Sequence, residues 1–235
     1  MEGGINQEAR ALCVYKDELY VAGEFTEAGK QPAESIARWN GSAWHAVGTG
    51  LPNNVFALTE YKGELYAGGT FSTDAADNKK ENLFRWDGKQ WTGVAIFNGA
   101  ITSLAVNKDK LCASGYFSHA NGKDVSMVAE TDGKSWSSVG SPIGYYINRA
   151  RTAVYILFSH ENILYAGGEF REAAGISANG VALYDGSGWK AIGAGADGSI
   201  HAFAIYNGEL YAAGAFDKAG DVEVGNIVKT TISSH

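Results

Sequence analysis

The stretch Glu64-Leu65-Tyr66-Ala67-Gly68-Gly69-Thr70-Phe71 constrains this chain more than any other. It returns as Glu18-Leu-Tyr-Val-Ala-Gly-Glu-Phe25, Lys110-Leu-Cys-Ala-Ser-Gly-Tyr-Phe117, Ile163-Leu-Tyr-Ala-Gly-Gly-Glu-Phe170 and Glu209-Leu-Tyr-Ala-Ala-Gly-Ala-Phe216. Five near-copies make the chain a repeat array. In such an array each unit buries its apolar face only against a neighbour.

The anchors Leu12, Leu58, Leu104, Leu157 and Phe203 recur about every 46 residues, with the third interval about seven longer, a period in the range of propeller blades. Every unit carries strand-like runs rich in Val, Tyr, Phe and Trp, bounded by Gly, Asn and Asp. They follow the types Val55–Tyr61, Leu65–Phe71 and Leu83–Trp86, then a fourth opening with Trp44, Trp91, Trp136 or Trp189. No amphipathic helix pattern interrupts them. The expected fold is all-β: one domain over 1–235, a five-bladed β-propeller of four-stranded antiparallel blades.

Connections alternate in length. Tight polar pairs such as Lys62-Gly63 and Asn207-Gly208, or Asp87-Gly88 and Asp185-Gly186, supply the positive φ that hairpin turns need. The other connections are long, and alternation in an up-down blade puts them all on one face. The extra residues of the third unit, within 141–152, fall on that loop-rich face. His235 stands in the register of Trp44 and Met1 in that of Val47. The ring is therefore expected to close near the termini, with the last blade short of its outer strand.

Gly68-Gly69, Trp86-Asp87-Gly88 and Trp91, with Gly167-Gly168, Tyr184-Asp185-Gly186 and Trp189, resemble the kelch-type, galactose-oxidase-like propeller repeat. The doublet is altered to Ala22-Gly23, Ser114-Gly115 and Ala213-Gly214 elsewhere, and Thr131 replaces the aromatic in the third copy. The resemblance implies a four-stranded blade. That family includes oxidases, specifier proteins and partner-binding scaffolds, and fold does not choose among them.

The net charge of −7, without a basic stripe, argues against nucleic acid and anionic membranes as partners. No apolar run approaches the roughly 18 residues of a spanning helix, and the first residues lack the pattern of a signal peptide. A removed signal is compatible with this, and a secreted or cell-surface location is the expectation. Cys13 and Cys112 lie in copies that are not neighbours, so both are read as small buried residues rather than a bridge. The five histidines show no metal-ligand spacing, and no cofactor motif is present.

Phe25, Phe71, Phe117, Phe170 and Phe216 repeat at one register and are expected to pack between blades. Functional residues should instead share a register while differing in type. Two positions before the anchors stand Arg10, Phe56, Thr102, Tyr155 and His201, in an otherwise small or aliphatic frame. They are read as a set around the channel mouth on the loop-rich face. Tyr116, from the register after the glycines, and Tyr145, Tyr146 and Arg149 of the long insertion complete the candidate ligand-binding set. The register of Tyr116 also holds Glu24 and Glu169, the candidates for a catalytic carboxylate pair.

These residues fit a monomeric, non-catalytic propeller that binds a protein or small ligand. The alternatives are a saccharide-binding lectin with its site near His201 and Tyr155, and a glycoside hydrolase or lyase resting on Glu24 and Glu169.

Overall fold

The structure, a computed structural model, describes residues 3–52, 54–70, 81–143 and 152–231. The described residues form strands, turns and loops without a helix. The first blade comprises Glu8–Tyr15, Glu18–Glu24, Ile36–Trp39 and Trp44–Ala46. The second comprises Asn54–Tyr61, Glu64–Thr70, Leu83–Trp86 and Trp91–Ala95. The third comprises Ile101–Asn107, Lys110–Gly115, Val128–Thr131 and Trp136–Ser138. The fourth comprises Ala153–His160, Ile163–Glu169, Val181–Tyr184 and Trp189–Ala191. The fifth shows three described strands, Ser199–Tyr206, Glu209–Ala215 and Ile227–Thr231. Each strand pairs antiparallel with the next in its blade, and the blades follow one another around a ring as in a five-bladed propeller.

The turns behave as their residues demand. Lys16 and Asp17, Lys62 and Gly63, and Asn207 and Gly208 all take positive φ, the geometry of a twisted two-residue hairpin. On the third-to-outer turns, the Asp87 carboxylate accepts from the amides of Lys89 and Gln90, and Asn40 and Asp185 cap their turns alike.

The long connections hold small two-stranded ribbons absent from the sequence reading: Glu27–Ala28 with Gln31–Pro32, His119–Ala120 with Lys123–Asp124, Glu172–Ala173 with Ile176–Ser177, and Lys218–Ala219 with Val222–Glu223. Each ribbon alanine bridges a residue of another connection: Phe97 to Ala120, Ile143 to Ala173 and Ala196 to Ala219 follow the outer strands of the second, third and fourth blades, and Ile5, ahead of the first strand, bridges Ala28. Both kinds of long connection therefore meet on one face.

The core is a series of clusters, one at each seam between consecutive blades. Phe25, Phe117, Phe170 and Phe216 are all buried, as their shared register predicts, while Phe71 lies outside the described residues. The expected closure near the termini places a fifth seam between the fifth and first blades. Among the described residues no buried cluster spans it. Leu12 on the first blade is 66% exposed, whereas its equivalents Leu58, Leu104 and Leu157 are 9%, 8% and 4% exposed. This seam is thus the least packed of the ring.

Candidate functional site

The candidate register is built by a β-bulge repeated in every blade. Pairing of the inner strand with the second strand slips between Ala9 and Ala11, Val55 and Ala57, Ile101 and Ser103, Val154 and Ile156, and Ile200 and Ala202. The extra residue at each slip is Arg10, Phe56, Thr102, Tyr155 or His201. A bulge inserts one unpaired residue and re-aims its side chain. Here it turns one side chain per blade away from the apolar frame of its neighbours.

The second glycine of each doublet permits the bulge. A Cβ on Gly23, Gly69, Gly115, Gly168 or Gly214 would stand 2.0–2.1 Å from a backbone carbonyl of the inner strand. That approach leaves room only for hydrogen. It explains why this position is glycine in all five copies while the first position varies to Ala or Ser.

The bulge set and the register after the glycines form one site. Arg10 donates to Glu24 at 2.9 Å, and Tyr155 donates through its hydroxyl to Glu169 at 3.0 Å. Each is a contact within one blade, made by the same geometry. Around the mouth the side chains meet between blades. The Arg10 guanidinium lies 5.4 Å from the centre of the Phe56 ring and also pairs with Glu8 at 2.8 Å. Tyr155 lies 5.9 Å from Tyr116 on one side and 5.1 Å from His201 on the other. The Tyr155 and His201 rings are nearly parallel, at 4°. The Ser199 hydroxyl sits 2.9 Å from Nε2 of His201.

Burial, reinforced by hydrogen bonds with Tyr116 and Glu169, pushes the Tyr155 phenol well above its ordinary value. It stays a neutral donor, fixed on Glu169. Thr102 differs from the rest. Its hydroxyl donates to the carbonyls of Val154 at 2.9 Å and Ser114 at 3.2 Å, joining the third blade to the fourth. Its polar group is directed into the scaffold.

Glu24 and Glu169 are each engaged by a partner on their own blade, Arg10 and Tyr155 respectively. Tyr145, Tyr146 and Arg149 lie outside the described residues. Glu8 and Ser199 join the site unannounced by the sequence reading. Their signal was positional: both stand two residues before the bulge and face the register after the glycines.

Two of the solved structures that match the chain illustrate its fold. One is the computationally designed Ika8 protein, at 16% identity and a TM-score of 0.53, covering 91% of this chain and 57% of that one. The other is the WD40 β-propeller domain of Doa1, at 14% identity and a TM-score of 0.51, covering 89% of this chain and 63% of that one. The chain has the fold of a β-propeller. Its likeness to these two extends to fold alone, and it spans about three-fifths of the length of each. No protein-family model and no curated protein matches the chain, so the kelch-type resemblance stays at the level of the blade.

Proposed function

We propose that this propeller is a non-catalytic binding module whose ligand sits at the channel mouth on the loop-rich face. Propellers are widely used as binding scaffolds, and function on such a scaffold lives in its site. The observation that carries the reading is the repeated bulge, which sets five different residues at one register and leaves the functional groups of Arg10, Phe56, Tyr155 and His201 outside the backbone pairing. A scaffold alone would have no use for that variety in an otherwise regular frame. The loops around the mouth extend the surface available to a protein partner.

One observation favours a saccharide or other small ring ligand over an extended protein epitope. The Tyr155 and His201 rings stack nearly parallel, with Tyr116 beside them and the Glu169 carboxylate held on the Tyr155 hydroxyl. Aromatic faces accept the apolar face of a ring, and the adjacent acceptor suits its hydroxyls. Glu24 and Glu169 orient Arg10 and Tyr155 in this reading. A glycoside hydrolase would instead use them as an acid–base or nucleophile pair roughly 5–9.5 Å apart.

A glycan array probed with the purified protein, and again with Tyr155→Ala and His201→Ala, tests this. Loss of an array signal in both variants is expected. Signals that both folded variants retain would remove the mouth from the reading. Glu24→Gln and Glu169→Gln separate the classes: turnover of a glycoside that these substitutions abolish would establish the hydrolase instead.

A further inference from the structure

The third blade breaks the repeat at Thr131. In the first, second and fourth blades the third strand ends on an aromatic ring beside the tryptophan that opens the outer strand. Ring centres lie 5.4 Å apart for Trp39 and Trp44, 5.3 Å for Trp86 and Trp91, and 5.4 Å for Tyr184 and Trp189. In the third blade Thr131 stands opposite Trp136, and its hydroxyl accepts from the Gly133 amide at 3.0 Å. The ring is missing, and a cavity of about 150 Å³ opens at the seam between the second and third blades. Tyr66, Leu83, Arg85, Thr131, Lys134 and Trp136 are among its walls.

The seam between the first and second blades shows what stands in the equivalent place. There Trp86 joins one buried cluster with Tyr15 and Tyr20, and Arg38 meets both carboxylate oxygens of Glu18. Arg85 is the counterpart of Arg38, since each pairs in register with the second-strand tyrosine, Tyr66 or Tyr20. Arg85 donates to one oxygen of Glu64, at 3.3 Å. Among the described residues its Nε is buried without a hydrogen-bond partner. The indole N–H of Trp136 has no described acceptor either, whereas Trp91 donates to the Val47 carbonyl at 3.1 Å and Trp189 to that of Val139 at 2.7 Å.

The walls are also one-sided in charge. Arg85 and Lys134 are the charged residues that line the cavity, and no described carboxylate lines it, in a chain of net charge −7. Burial holds the Tyr66 phenol above its ordinary value, so it stays protonated beside them. A void forfeits packing, and a buried guanidinium nitrogen without an acceptor is costly. A ligand that joins a flat ring to an anionic acceptor answers both. The volume is that of cavities known to take up benzene.

We propose that this seam binds a small aromatic carboxylate. Its ring takes the place of the missing third-strand aromatic against Trp136, and its carboxylate accepts from Arg85, with the exposed Lys134 adding a second positive charge. The site is separate from the channel mouth and does not rest on the reading of the mouth.

Fluorine NMR of para-fluorobenzoate titrated with the whole chain tests the site. Saturable binding is expected. Thr131→Tyr restores the ring of the fourth blade and should abolish binding while the thermal midpoint is retained or raised. Arg85→Gln keeps the cavity and removes the charge-assisted bond, and should weaken binding about tenfold. Para-fluorobenzyl alcohol, with the same ring and no carboxylate, should bind the unaltered protein more weakly by a similar factor. Three results would overturn the proposal: no saturable binding by the folded protein; binding that folded Thr131→Tyr or Arg85→Gln leaves unchanged; or binding that Tyr155→Ala removes, which would move the acid to the mouth. If Thr131→Tyr does not fold, Arg85→Gln and the alcohol decide.

Discussion

The middle blades and the terminal blades are built from the same repeat and end up in different environments. Leu157 of the fourth blade and Leu12 of the first occupy one register, and one is buried while the other is largely exposed. The outer end of the third blade is sealed by Trp189, whereas among the described residues no tryptophan covers the outer end of the fourth. The contrast teaches that a blade's stability comes from the face of the next blade, as expected of a nearest-neighbour array. The mouth does not follow this division. The stack of Tyr155 on His201 crosses from a middle blade to a terminal one, so the proposed ligand site would depend on how well the fifth blade docks.

The largest effect expected from breaking the contrast is at Trp189. Trp189→Ala removes a buried ring and its hydrogen bond to Val139, and should lower stability by about 4 kcal/mol in denaturant titration. Next comes the paired substitution of the anchors. Leu157→Ala should cost about 3 kcal/mol, while Leu12→Ala at its exposed position should cost less than about 0.5 kcal/mol. Equal losses at both would mean that the first blade's inner face is buried in solution.

Gly168→Ala sharpens the comparison from the side of the mouth. The new Cβ would lie 2.1 Å from the Ala153 carbonyl and 2.9 Å from the Val154 Cα, with no flexible side chain to yield. A loss of about 3 kcal/mol is expected by thermal or denaturant unfolding, together with displacement of Tyr155. The smallest effect separates the two thiols. Burial pushes the Cys112 thiol up to about 12, and Cys13, only half-buried, is raised by the same cause. A raised value favours the neutral thiol, so less of the reactive thiolate exists at any pH below it. At pH 8, iodoacetamide followed by mass spectrometry should modify Cys13 well before Cys112.

Much of this was legible in the residues. The five-fold period, the Lys-Gly and Asp-Gly turns and the shared Phe register led directly to the blades, because each depends on local chemistry repeated in place. The mouth was legible as a register, since Arg10, Phe56, Thr102, Tyr155 and His201 differ where their neighbours do not. The bulge itself was not read, although its mark was present: Gly23, Gly69, Gly115, Gly168 and Gly214 keep the second glycine in every copy. A close backbone approach is a through-space constraint, and only pairing shows which carbonyl lies opposite. The contact of Arg10 with Glu24 and of Tyr155 with Glu169 follows from that pairing too. The loop ribbons were missed because they are two residues long, too short for any periodicity. Their trace was a recurring buried alanine followed by a positive-φ pair, as at Ala120 with Asn121 and Gly122.

The most direct test of the mouth as a binding site is saturation-transfer difference NMR with a panel of methyl glycosides, on the protein and on Tyr155→Ala. The expected result is transfer to the ring protons of at least one glycoside, lost in the variant while its thermal midpoint is retained. Transfer of equal strength from the folded variant would contradict a site built on the stacked pair of Tyr155 and His201.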